Sequence, residues 1–233
     1  MHMLRRSFLV GVSALALAAG AQAREFRGGI PWTSGKAQPP NDFDASRRFL
    51  TDEERTFVTA AVDRLIPADD TPSASELGVV DYIDAQLAGA YGRGDIYYLQ
   101  PPFQAGLATQ GYQAEAPALL YRQAIADIEA FLAAANNGPF ADLDDDAQDD
   151  VLTRLSEGEI ELEHVHAKTF FDTLWQNTLE GFFGDPVYGG NRDMQGWRMI
   201  GFPGARYDYR PWIDHGGKPV ILDPVSVARR TTP

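Results

Sequence analysis

The residues best suited to chemistry in this 233-residue chain are two overlapping Glu-x-x-His pairs, Glu161 with His164 and Glu163 with His166. On a helix this spacing places a carboxylate and an imidazole on one face, as in di-iron bundles. Such a site needs a matching motif on a second helix, whereas these two pairs share one predicted helix and point about 200° apart. The sequence therefore leaves two alternatives: a free-standing metal enzyme that uses Glu161, His164 and His166, or polar residues at a helix start.

Other catalytic and cofactor-binding motifs are missing from the sequence. No serine lies in a Gly-x-Ser-x-Gly context, and no Gly-x-Gly-x-x-Gly follows a strand pattern. The absence of cysteine excludes disulfides, thiolate metal sites, iron–sulfur ligation and covalent haem attachment in this chain. Asp69 and Asp70 are not followed by a series of calcium ligands, which favours a solvated turn. We therefore expect neither a cofactor nor a metal in this chain.

Helical periodicity of the apolar residues predicts an all-α domain of about five helices with long irregular segments. Thr51 and Glu54 form a capping-box pattern at the start of the first helix. Beyond Pro203 we expect an extended tail that contains a buried-looking run, Val220 to Leu222. The predicted helices are Phe49–Ile66, Ser75–Leu87, Pro117–Asn136, Asp142–Leu155, a long helix within residues 158–183 and a short turn at Asp193–Ile200.

Residues 1–23 resemble a cleavable export signal. Arg5 and Arg6 precede an apolar run of roughly 13 residues, shorter than the about 20 that a membrane span needs. Ala21 and Ala23 form a small-x-small cleavage site. The twin arginines favour the Tat pathway, although Leu4 and Val10 depart from its preferred flanks. We predict a periplasmic protein exported by a twin-arginine signal, with Sec export and an uncleaved helix as alternatives.

The mature chain is strongly acidic. Without Arg5 and Arg6 it has 18 basic and 33 acidic residues, a net charge of −15. This charge argues against nucleic acid or an anionic lipid surface as a partner. We divide the chain into the signal, an extended arm over residues 24–48, and a helical domain over residues 49–233.

A long segment without periodicity, residues 91–113, contains five tyrosines or phenylalanines and a Pro-Pro step. Loops of this length inside a compact domain are uncommon and usually functional. Tyr98 and Phe103 are therefore candidate partner-binding residues. The alternative is an aromatic loop folded on the core of its own domain.

The central segment, residues 181–204, combines seven glycines and two prolines with bulky apolar residues, among them Phe182, Phe183, Val187, Tyr188, Trp197, Met199 and Phe202. A solvated loop would not normally have so many large apolar groups, and a regular helix or strand would not tolerate so many glycines and prolines. We interpret this segment as a docking surface for a partner protein. Its candidate partner-binding residues, with one from the following tail, are Tyr188, Gly189, Gly190, Asn191, Arg192, Trp197, Phe202, Pro203 and Tyr207.

Each of these candidates also has a purely structural interpretation. Asn191 suits a left-handed turn position after two glycines, Asp193 suits a helix cap, and Arg192 could be solvated. Tyr and Trp are favoured at interfaces but are also common in cores. The sequence leaves both alternatives open for the aromatic residues.

The run DPVYGGNRDMQGWRMIGFPGARYDYR, residues 185–210, closely resembles the signature of the gluconate 2-dehydrogenase small (gamma) subunit family. The resemblance continues through LIPADDTPSASELGVVDYID and YGRGDIYYLQPPFQAGLATQGYQ, residues 65–84 and 91–113. It covers most of the chain after about residue 50.

The resemblance implies a non-catalytic accessory subunit of a flavin-dependent membrane sugar or polyol dehydrogenase. Such subunits accompany a large flavoprotein subunit, which holds FAD, and a multihaem cytochrome c subunit. They help the flavoprotein reach the periplasm, which would explain a Tat signal on a chain without a cofactor site. The implied partners are these two subunits and the Tat translocase, in a complex associated with the inner membrane.

Overall fold

The computed structural model describes residues 48–95, 115–206 and 208–227. These residues form an all-α domain, which confirms the predicted fold class. Their α-helices are α1 (Asp52–Leu65), α2 (Val79–Ala88), α3 (Pro117–Ala134), α4 (Asp145–Glu157), α5 (Ala167–Phe183) and α6 (Gln195–Met199). Short 3-10 helices cover Phe140–Asp142, Pro186–Tyr188, Arg192–Met194 and Arg210–His215.

Helix α5 is the central element, and each of the other five helices packs against it. Its inward face repeats every three to four residues through Phe170, Leu174, Thr178 and Phe182, all fully buried. Asn177 adds two polar contacts to this face, and it accepts one of them from the Tyr91 hydroxyl at 3.0 Å. Its side chain donates to the Tyr121 hydroxyl of α3 at 3.0 Å, so a buried hydroxyl is satisfied inside the core.

The predicted start of the first helix is confirmed. The Thr51 side chain accepts the Glu54 N–H at 3.2 Å, and the Glu54 carboxylate accepts the Thr51 N–H at 2.9 Å. The chain before α1 is held by a buried carboxylate of α2, because Asp84 accepts the N–H groups of Phe49 and Leu50. These contacts fix the two helices relative to each other.

The second helix begins four residues later than predicted, at Val79. Gly78, which precedes it, has a φ of 82°, so the backbone cannot continue as a helix through this position without strain. A Cβ on Gly78 would lie 2.9 Å from the Gly189 carbonyl oxygen. The turn before α2 is therefore shaped by contact with a segment more than 100 residues away in the sequence.

The prediction that Glu161 to His166 lie on the helix within residues 158–183 is wrong, because residues 158–166 are not helical. Gly158 ends α4 in a left-handed conformation with a φ of 73°. Asp127 of α3 then accepts both the backbone N–H and the ring Nδ1 of His164, each at 2.8 Å. This long-range tether and the burial of Ile160 and Val165 keep the segment extended over the core.

The described residues contain no β-strand, and one isolated parallel bridge joins Gly204 to Val225. Among the helices in the described ranges, none is long and apolar enough to cross a membrane. The predicted signal and all but the last residue of the predicted arm lie outside the described residues. Arg5, Arg6, Ala21 and Ala23 therefore stay predictions as parts of an export signal.

Candidate docking surface

The central segment lies directly on the C-terminal end of α5, backbone against backbone. A Cβ on Gly190 would lie 2.1 Å from the Gly181 carbonyl oxygen, and a Cβ on Gly196 would lie 2.3 Å from the Phe182 carbonyl oxygen. Neither position can accept a side chain without moving the backbone. These glycines serve close packing inside the chain, so their abundance is explained without a partner.

Asn191 fastens this segment from within. Its residue is fully buried and its backbone is left-handed, with a φ of 46°. Its Nδ2 donates to the Gly184 carbonyl at 2.8 Å, and its Oδ1 accepts the Gly196 N–H at 2.9 Å. The structural interpretation of Asn191 as a left-handed turn residue is therefore what the structure shows, and its amide closes the turn.

Arg192 connects the segment to the start of α2. Its backbone N–H donates to the Leu77 carbonyl at 3.1 Å, and its guanidinium pairs with Asp81 at 2.5 Å. Asp81 also pairs with Arg55 of α1. Although the Arg192 side chain is half exposed, its charge is matched within the chain, so Arg192 is not the freely solvated residue of the structural interpretation.

Asp193 does not cap the short helix as that interpretation supposed. The residue has a φ of 55°, and the residue that precedes α6 is Met194, also left-handed with a φ of 58°. Three of the four residues from Asn191 to Met194, all except Arg192, are thus non-glycine residues with a left-handed backbone, and they form an unusually bent turn. The hydrogen bonds of Asn191 hold this turn in place.

Trp197 faces inward and is only 4% exposed. Its indole Nε1 donates to the Phe183 carbonyl at 2.5 Å, and its ring meets the Phe202 ring edge to face with centroids 5.2 Å apart. Of the two alternatives for this residue, the structure favours core packing. The buried Trp197 indole packs against the inner side of the exposed Phe202 ring.

Four large apolar side chains of the same segment remain exposed. Tyr188, Met199 and Phe202 are each close to 45% exposed, and Ile200 is 56% exposed. We call these four residues the docking face. Met199 and Ile200 were not among the residues predicted from the sequence, because their exposure depends on how α6 is rotated on α5.

The glycines and the proline that were predicted to bind a partner differ in burial. Gly189 and Pro203 are half-buried and Gly190 is buried. Tyr98, Phe103 and Tyr207 lie outside the described residues, so their predicted role in partner binding stays a prediction. The structure thus leaves Tyr188 and Phe202 as the predicted aromatic residues with surface available to a partner.

The tail after the docking face is closed into a loop. Ala205 N–H donates to the Val225 carbonyl at 2.7 Å, and Val225 N–H donates to the Pro203 carbonyl at 3.2 Å. Asp185 accepts the Ser226 hydroxyl at 2.5 Å and the Val227 N–H at 2.8 Å. We call the two ends of this loop, where Gly204 meets Val225, the loop base. The loop base is therefore attached to the residues that follow α5.

The prediction that Val220 to Leu222 is buried is wrong for this chain by itself. Ile221 is 98% exposed, Val220 is also exposed and Leu222 is half-buried. Apolar residues in sequence indicate burial against something, but they do not say that the surface belongs to the same chain.

The histidine cluster is arranged differently from the predicted metal site. In the described ranges, the group of three that could hold a metal ion is Asp127, Glu163 and His164, and it excludes Glu161 and His166. The hydrogen bond to Asp127, more than any other cause, raises the pKa of His164. Both Asp127 oxygens already accept from His164, so the observed contacts are those of a tether between α3 and residues 158–166.

A surface depression of about 500 Å³ lies over the outer face of α1. Its charged lining residues are Asp52 and Arg55, and Arg55 is engaged by Asp81 and Asp84 of α2. The lining offers no nucleophile next to a general base. This depression therefore gives no reason to expect a reaction there.

Comparison with known proteins identifies the family. The family model described as gluconate 2-dehydrogenase subunit 3 matches residues 52–204, which include α1 to α6 and the docking face. The chain belongs to this family. Neither the comparison with curated proteins nor the comparison with solved structures gives a significant match. The match supports an accessory subunit like gluconate 2-dehydrogenase subunit 3, and it ends at Gly204, where the closed loop begins.

Proposed function

We propose that this chain is the non-catalytic small subunit of a periplasmic flavin-dependent dehydrogenase complex of the gluconate 2-dehydrogenase type. It binds and stabilises the large flavoprotein subunit, and its twin-arginine signal carries that subunit through the Tat translocase. FAD belongs to the large subunit and haem c to a multihaem cytochrome subunit. This proposal gives the acidic chain a role that consists of binding.

The observation that carries the proposal is the docking face, Tyr188, Met199, Ile200 and Phe202, on a segment whose backbone is locked. Fixed apolar side chains lose little conformational freedom on binding, so more of their burial contributes to affinity. Aromatic residues held on a rigid support are also the usual centres of binding energy in interfaces. A buried tryptophan beneath an exposed phenylalanine is such an arrangement.

Stabilisation of the large subunit follows from mass action. A ligand that binds only the folded form of a protein stabilises it by about 2.7 kcal/mol when its free concentration is 100 times the dissociation constant. The small subunit would act on the flavoprotein in this way before export. Because Tat transports folded proteins, one signal on the small subunit could then serve both chains.

Co-expression tests this proposal. The large subunit should be found in the periplasm, with flavin, when this chain is present and should remain cytoplasmic or insoluble when it is absent. The double variant Arg5→Lys/Arg6→Lys should keep both chains in the cytoplasm while leaving their mutual binding intact. Normal export of the large subunit without this chain would refute the carrier role.

A further inference from the structure

The loop between Gly204 and Val225 is the most exposed described part of the chain. The 3-10 helix Arg210–His215 at its start has no buried residue, and Ile213 is 72% exposed. Its second half contains Val220, Ile221 and Leu222 between Pro219 and Pro224. An apolar run of this kind in a loop is costly in water, and it is expected to be covered in the functional state.

The backbone of this run is available for pairing. The N–H groups of Val220, Ile221 and Leu222 make no hydrogen bond to any described residue. From Ile221 onward the side chains alternate, since Ile221 and Asp223 face solvent while Leu222 and Pro224 are half-buried and buried, whereas Val220 before them is exposed as well. Branched apolar residues with this alternation are typical of a β-strand.

We propose that Val220–Ile221–Leu222 is a strand whose sheet lies in another protein, and that it pairs with an exposed strand edge of the large flavoprotein subunit. This inference rests on the proposed function, which supplies the partner. In such strand addition, main-chain hydrogen bonds give the affinity, and pockets for alternate side chains give the specificity. Ile221 is the side chain that enters an apolar pocket of the partner.

The charge of the chain favours the large subunit over a second copy of this chain as the partner of Val220–Ile221–Leu222. The loop is electrically neutral, with Arg206, Arg210 and Lys218 against Asp208, Asp214 and Asp223. The rest of the mature chain carries the whole net charge of −15, so two copies brought together through this loop repel each other. The same charge opposes docking on anionic lipid. A neutral apolar strand therefore suits an uncharged edge on a different protein.

The loop base holds the strand beside the docking face. Arg198, which lies on α6 next to Met199, pairs with Asp223 at 2.9 Å. Arg206 donates to the Asp223 carbonyl at 2.8 Å. Asp223 directly follows the apolar run, so both arginines fix its C-terminal end. The strand and the docking face can thus contact one partner together.

Hydrogen exchange on the full chain bound to the large subunit tests this pairing. In the isolated mature chain the amides of Val220 to Leu222 should exchange at nearly the rate of an unstructured peptide. In the complex at least one of them should exchange at least about 100-fold more slowly, because a strand-edge N–H becomes hydrogen-bonded. Unchanged exchange of all three amides in a complex that does form would overturn the inference and leave the proposed function standing.

The variant Ile221→Asp provides a second test of the strand proposal, through the affinity for the large subunit. It should weaken binding of the large subunit at least about tenfold without changing the melting temperature of the isolated chain, since Ile221 touches little of its own domain. Leu119→Asp, which makes the same kind of change at a half-exposed apolar residue of α3, is the control and should bind normally. Equal binding by both variants and the wild type overturns the strand proposal.

Two other possible partners of this strand, a second copy of the chain and a lipid surface, would give different results. If light scattering showed a dimer of the isolated chain that Ile221→Asp dissociates, the occupant would be a second copy. If the isolated chain sedimented with phosphatidylcholine vesicles in an Ile221-dependent way, the occupant would be lipid. Either result contradicts the proposal. Failure of the wild-type chain to bind the large subunit at all would instead remove the proposed function.

Discussion

Replacing Asn191 with alanine tests how the docking face is held without touching any exposed residue of that face. The side chain is buried and bridges the Gly184 carbonyl and the Gly196 N–H. Alanine removes both hydrogen bonds and leaves the buried Gly196 N–H without its acceptor. It also places an alanine at a φ of 46°, which asparagine tolerates better.

The expected cost combines three parts. A buried N–H left without an acceptor costs about 1–3 kcal/mol, and the lost bond to Gly184 adds about 1 kcal/mol. Alanine in a left-handed conformation adds roughly 1 kcal/mol more. We therefore expect Asn191→Ala to destabilise the chain by about 3–5 kcal/mol. For a domain of this size this lowers the melting temperature by about 6–20 °C.

Asn136 provides a matched control. It has nearly the same backbone conformation, with a φ of 56°, but its side chain is exposed at the end of α3. Asn136→Ala should cost only the backbone part, about 1 kcal/mol. Thermal denaturation followed by circular dichroism compares the two variants. Hydrogen exchange should show faster exchange within residues 184–204 for Asn191→Ala alone.

A stability loss for Asn191→Ala no greater than that for Asn136→Ala would contradict a structural role for the Asn191 side chain. It would mean that the two hydrogen bonds contribute little and that other contacts hold the segment on α5. If the segment is released as expected, the affinity for the large subunit should also fall. The same variant would thus connect the rigidity of the segment with binding.

Three further predictions follow from the structure. Gly190→Ala should destabilise the chain by more than about 2 kcal/mol, because its Cβ would meet a backbone oxygen at 2.1 Å. Gly138→Ala is the control, because a Cβ there has no atom nearer than 3.9 Å, and its stability in urea denaturation should equal that of the wild type. Because the pKa of His164 is raised in the folded state, its contact with Asp127 stabilises the fold fully below pH 6.5 and less as pH rises through the folded pKa. The urea midpoint of unfolding should therefore fall as pH rises through this range. His164→Gln should reduce this dependence of the urea midpoint on pH. Metal analysis of the purified mature chain should show no stoichiometric iron, manganese or zinc; a stoichiometric metal would favour the metal-enzyme alternative.

Local sequence signals predicted those parts of the fold that depend on local interactions. The capping box of Thr51 and Glu54, and the helix predicted at Pro117–Asn136 and observed at Pro117–Ala134, need only neighbouring residues. The predicted helical position of Glu161 to His166 was wrong because the conformation of residues 158–166 depends on Asp127, 37 residues from His164. No local periodicity reports such a contact.

The sequence predicted the bent, packed character of the central segment but not its contacts. Glycine density and bulky apolar residues correctly marked the central segment as a bent, packed element. However, the glycines meet backbone atoms of α5, a long-range contact that composition cannot reveal. The partners of Arg192 and the inward direction of Trp197 also depend on tertiary packing. The exposure of Val220 and Ile221 follows from the absence of a covering surface in the described residues.

The most direct measurement of the central claim is the affinity of the mature chain for the large flavoprotein subunit after a change in the docking face. Ile200→Asp puts a carboxylate at the most exposed residue of that face, and Leu119→Asp makes the same change at a comparably exposed residue of α3. We expect Ile200→Asp to raise the dissociation constant at least about tenfold, while Leu119→Asp and the wild type bind alike. Equal dissociation constants for all three chains would contradict it.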